Sequence, residues 1–80
     1  MSTHKLSNVP IKDFREFLSK VVCQCVKIES GHEKWTKKGL LRPIILQTHV
    51  DPVPEHIIQA NLRTLNLSKQ DFFNILFDTK

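Results

Sequence analysis

Apolar residues recur early in the chain at Ile11, Phe14, Phe17, Leu18, Val21 and Val22, separated by Lys12, Asp13, Arg15, Glu16, Ser19 and Lys20. Spacings of three and four predict an amphipathic helix with one stripe to bury. Pro10 suits the first helical position, where its missing N–H costs nothing. Val9 is a poor cap, so Asn8 or Ser7 is expected to help. The rhythm then changes to alternation. Gln24–Glu29 places Val26 and Ile28 on one face and Cys25, Lys27 and Glu29 on the other. Ser30-Gly31 is a two-residue turn signal. His32–Thr36 alternates again, with Glu33 and Trp35 on one face and His32, Lys34 and Thr36 on the other. Trp35, the single tryptophan, is expected in the core. That sends His32 and Lys34 to the opposite, wetter face. Lys37-Lys38-Gly39 makes a second turn. Residues 41–47 predict a third strand centred on Ile44, Ile45 and Leu46, with Pro43 at an unpaired beginning.

Residues 48–54 form a loop carrying His49, Asp51 and two prolines. A helix follows, with Pro54 near its start and Ile57, Ile58, Leu62 and Leu65 as its stripe. Asn66 can end it in a left-handed conformation. Ser68 with Asp71 resembles a capping box, and opens a last helix bearing Phe72, Phe73, Ile75, Leu76 and Phe77. The predicted fold is α+β, in the order α-β-β-β-α(α): a three-stranded antiparallel sheet with helices on one face and the other face open. Residues 1–8 are expected to be a flexible tail and residues 9–80 a single domain. No internal repeat or low-complexity segment interrupts it.

Eighty residues allow one small core, and a composition of 40% hydrophobic and 25% charged residues with two glycines is that of a globular chain. A net charge of +4 leans towards a polyanionic partner, although an acidic protein would suit it equally. The first residues lack the apolar run of a secretory leader, and no stretch approaches the roughly 20 apolar residues of a membrane span. A cytoplasmic location without a membrane partner is therefore expected. Cys23 and Cys25 are spaced poorly for a mutual disulfide. With His32 they make at most half a metal site, since there is no second cysteine pair. No metal and no cofactor are expected.

The chemistry gathers on the open face. His32 and Lys34 lie in the second strand, Lys27 projects from the first to the same side, and Lys37, Lys38 and Arg42 sit at the adjoining turn. Lys and Arg can hold phosphates, while a neutral imidazole can take the proton of a ribose 2′-hydroxyl, which then attacks the neighbouring phosphate. Histidine suits this because its ordinary pKa of roughly 6.5 is close to neutral. The same residues would also serve as a solvated strand and a soluble hairpin tip.

From Phe14 onward the chain resembles the HicA family of toxin RNA endonucleases. The resemblance is carried first by Val26-Lys27-Ile28-Glu29-Ser30-Gly31-His32-Glu33-Lys34-Trp35: an apolar strand, a small-residue turn, a histidine and a following aromatic. It continues through Arg42-Pro43-Ile44 to Gln47-Thr48-His49, then through residues 57–67, Phe72 and Leu76. It covers about four fifths of the chain in order, although no single motif is specific. The resemblance implies a fold like the double-stranded-RNA-binding domain, mRNA cleavage that blocks translation, and inhibition by a cognate HicB-type antitoxin. It makes His32 the catalytic residue; His49 matches a frequent family position, either as a second acid or base or simply as packing for the loop. Lys27, Lys34, Lys37, Lys38 and Arg42 would contact RNA. Two positions depart from the family pattern. Glycine then serine or threonine more often precedes the histidine, whereas the order here is Ser30-Gly31. Asn66 replaces the usual glycine of the later joint.

Two other functions fit parts of the sequence. An RNA-binding module without cleavage would use the same fold and basic face. A helix-turn-helix over residues 57–76 would bind DNA, but its second helix spends Phe72, Phe73, Ile75, Leu76 and Phe77 on apolar surface rather than on base contacts. His56, on a helix, and His4, in the tail, carry no functional expectation.

Overall fold

The structure, a computed structural model, describes Leu6 and residues 8–77. Its elements are α1 (Ile11–Lys20), β1 (Gln24–Glu29), β2 (His32–Thr36), β3 (Ile44–Gln47), α2 (Glu55–Leu65) and α3 (Lys69–Leu76). The three strands form one antiparallel sheet in the order β1-β2-β3, so the domain is a small α+β unit. Ser30 and Gly31 both adopt positive φ, 52° and 80°. Such a turn matches the right-handed twist of the strands it joins and fixes their register. Glu29 is thereby aligned with His32, and Lys27 with Lys34.

Alternation on β2 and β3 sorts the side chains. Glu33, Trp35, Ile44 and Leu46 are buried, while His32, Lys34, Ile45 and Gln47 are exposed. The buried side meets Phe14, Phe17 and Leu18 of α1, Ile58, Leu62 and Leu65 of α2, and Phe72 and Leu76 of α3 in one apolar cluster. The Phe72 ring stands edge-on to Phe17 with centroids 4.6 Å apart, a favourable aromatic geometry. Phe72 and Leu76 thus commit one face of α3 to the core. The predicted capping box is present: the Ser68 hydroxyl accepts from the Asp71 N–H, and the Asp71 carboxylate accepts from the Ser68 N–H. Asn66 closes α2 at φ 62°, in the left-handed region.

One buried carboxylate stands in this apolar layer. Glu33 receives Arg15 of α1 through two hydrogen bonds, 2.8 and 3.2 Å, and the Trp35 indole N–H at 3.0 Å. Those donors offset the cost of removing the charge from water. They also tie the face of α1 to the centre of β2.

The structure corrects the sequence expectations at several points. Leu6, assigned to the tail, is 1% exposed and belongs to the core; residues 1–5 and 7 of that tail lie outside the described residues. Among the described residues no local side chain caps α1, Asn8 included, and Ser7 lies outside them. Instead the Ile11 N–H donates to the Asp51 carboxylate at 2.9 Å, forty positions away. Val9 and Val53 bridge beside it. The helix stops at Lys20, so Val22 leaves the apolar stripe, adopts φ 69° and is exposed. The third strand begins at Ile44 rather than at residue 41, as the proline before it dictates. A bulge between Cys25 and Lys27 inserts Val26, which shifts the pattern of β1. Cys25 aligns with Trp35, away from Lys27 and Glu29, whose partners are Lys34 and His32. Ile28 aligns with buried Glu33 yet is 70% exposed, because the helix cover does not reach β1.

Candidate functional site

The open sheet face carries a groove lined by Lys27, Glu29 and Ser30 from β1 and its turn, His32 and Lys34 from β2, and Ile45 from β3. Each side chain is placed by register. A residue on an antiparallel strand shares its face with the residue directly opposite. The cross-strand row Glu29–His32–Gln47 therefore lies beside the row Lys27–Lys34–Ile45. Lys27 is held at 3.0 Å by Glu29. Lys34 makes no ion pair among the described residues, which leaves its charge available.

At the turn end of the groove a second imidazole approaches the first. The His32 and His49 ring centroids are 6.3 Å apart, with planes at 85°. Both rings are exposed and free of hydrogen bonds to the described residues. The loop after β3 is latched to the turn before β2. Thr48 donates its N–H to the Gly31 carbonyl at 2.8 Å and its hydroxyl to the same oxygen at 3.1 Å. A Cβ on Gly31 would stand 3.3 Å from His49 Nδ1. Glycine at this position thus permits both the positive φ and the close seat of the imidazole.

Three of the five basic residues expected at the site are elsewhere or turned away. Lys37 donates to the Val21 carbonyl at 3.2 Å, where it satisfies the end of α1. Arg42 lies with Leu41, Ala60, Arg63 and Thr64 beside α2. Lys38 is exposed on the turn after β2 and does not line the groove. Only Lys27 and Lys34 flank His32. Glu29 was not among the expected site residues, although the alternation already put it on the face of Lys27. Its place follows from counting across the two-residue turn, which aligns residue 29 with residue 32.

Among the described residues no three His, Cys, Asp or Glu side chains converge as a metal site, and both cysteines are free thiols. Cys23 is buried, and burial pushes its thiol pKa up against a smaller opposing pull from Lys37. His56 is exposed on α2, and His4 lies outside the described residues. No described helix is long and apolar enough to cross a membrane.

Fold and site together define a small α+β domain with one sheet face covered by helices over β2 and β3, and an opposite open face bearing lysines beside a histidine pair. Comparison of this chain with known protein families, curated proteins and solved structures finds no match.

Proposed function

We propose that this chain is a HicA-type toxin: a cytoplasmic, metal-independent endoribonuclease that cleaves mRNA, with the fold of a double-stranded-RNA-binding domain. The observation that carries this proposal is the groove, in which an exposed His32 stands between the cross-strand pair Lys27–Lys34 and the turn. A phosphodiester can lie along the lysines by charge alone. His32 then accepts the proton of the adjacent 2′-hydroxyl, and the resulting oxygen attacks phosphorus. RNA supplies its own nucleophile, so the step calls on no cofactor. Lys34, the unpaired cation, stabilises the charge that develops on the phosphate oxygens. A HicB-type antitoxin would silence the enzyme by covering this same face.

The test is induction of the chain in a bacterial host, wild type beside His32→Ala, with growth and mRNA integrity followed together. Arrest and mRNA loss with wild type alone are expected. Equal RNA cleavage by purified His32→Ala protein would sink the catalytic assignment. RNA binding without cleavage by the folded wild type would leave a non-catalytic RNA-binding module.

A further inference from the structure

We infer that His49 is the general acid of the reaction, paired with His32 as general base, so that the products are a 2′,3′-cyclic phosphate and a 5′-hydroxyl. This rests on the ribonuclease proposal above and adds the second half of its proton chemistry. Breaking the P–O5′ bond expels an alkoxide unless a proton reaches it, and one histidine cannot both accept the first proton and already hold the second. Two imidazoles in opposite protonation states meet that need. Here two exposed rings stand 6.3 Å apart at one end of the groove. A single phosphate on their solvent side can reach each with a hydrogen bond of about 2.8 Å.

The seat of His49 is built by its surroundings. It follows Thr48, whose two hydrogen bonds to the Gly31 carbonyl fix the loop against the residue directly before His32. Its Nδ1 lies where any larger residue at position 31 would crowd it. The backbone that aims His32 therefore also positions His49. The step balances as follows. The 2′-hydroxyl proton passes to His32, a 2′-O–P bond forms, the P–O5′ bond breaks, and the 5′-oxygen takes the proton of the His49 imidazolium. Exchange with water restores both rings. Gly31 and Thr48 are positioning residues in this scheme.

The test uses an oligoribonucleotide built around a site the wild-type chain cuts, made in two forms: one natural, one with sulfur replacing the bridging 5′-oxygen. Thiols ionise at about pH 8.5, far below alcohols, so the sulfur leaves without a proton donor. His49→Ala is expected to lose about 100-fold or more on the natural oligonucleotide, a typical general-acid contribution, and to stay within about threefold of wild type on the sulfur form. His32→Ala should lose activity on both. Gly31→Ala, which crowds His49, should follow His49→Ala in direction. Wild-type cleavage with His49→Ala equally active, or equally impaired on both forms, overturns the acid assignment while leaving the ribonuclease intact. The appearance of 3′-hydroxyl and 5′-phosphate ends overturns the 2′-hydroxyl attack itself, and the acid assignment with it. A folded wild type that cuts no RNA overturns the ribonuclease proposal and this inference with it.

Discussion

Glu33 and Trp35 are each one residue from Lys34, on the same strand, yet the two sides of β2 obey different rules. On the helix side the Glu33 carboxylate is matched by Arg15 and the Trp35 indole beside an apolar cluster. On the open side His32 and Lys34 hold no ion pair or hydrogen bond among the described residues. The strand's period of two puts these environments back to back. Water supplies the partners on one side, so those groups remain free for a ligand. On the other side the partners are fixed and define the fold.

That contrast can be broken most severely from the buried side. Leu46→Ala should cost about 2–5 kcal/mol, the range for a large aliphatic core residue, read by urea or thermal unfolding. Ile28→Ala, in the same inward register but beyond the helices, should cost less than about 1 kcal/mol. Equal losses would mean that the cover extends over β1. Next, Glu33→Ala should cost about 2–3 kcal/mol. That is less than breaking a fully buried pair, because the Arg15 side chain is 39% exposed and regains water. Unfolding of Glu33→Ala and of Arg15→Ala, with the double variant, would isolate the coupling.

The cysteines give a smaller effect. Exposed Cys25 should react with a neutral alkylating reagent well before buried Cys23. Burial raises the Cys23 pKa above its unfolded value. The folded state therefore keeps its proton longer, and the stability this contributes is complete below the ordinary thiol range and falls as pH rises through it. Cys23→Ala should flatten the alkaline end of the stability curve. Smallest for the fold is Lys34→Ala, expected within about 0.5 kcal/mol of wild type. Its effect should appear in RNA binding, as a loss of roughly one unit in the slope of log affinity against log salt. An unchanged slope would remove Lys34 from the phosphate contacts.

Much of this architecture was legible because it is local. The alternation of β2, the Ser30-Gly31 turn, the Asn66 helix end and the Ser68–Asp71 box each depend on residues within a few positions of one another. The site was legible only in part: His32 and Lys34 were placed on the open face once Trp35 was sent inward, and Lys27 with them, while Lys37, Lys38 and Arg42, expected there too, do not line the groove. What was not legible involves distance or flexible reach. The cap of α1 comes from Asp51, and the burial of Leu6 depends on helices far along the chain. Val26 enters as an unpaired residue, which period-two counting cannot anticipate. Lys37 has a long side chain that serves whatever acceptor lies within reach. For Lys37 that was the end of a helix, Val21, sixteen positions earlier.

The borrowed cap of α1 also bears on how the chain is made. A ribosome delivers residues from the amino end, and early segments begin to organise before later ones exist. The first turn of α1 must then wait with an open N–H until Asp51 has been synthesised, by which time the whole sheet has already been made. The same stretch brings Val53 against Val9 and carries His49 past the turn. Completion of the helix and arrival of the second imidazole are thus one event in translation. Any ribosome-bound fragment that stops short of it holds neither.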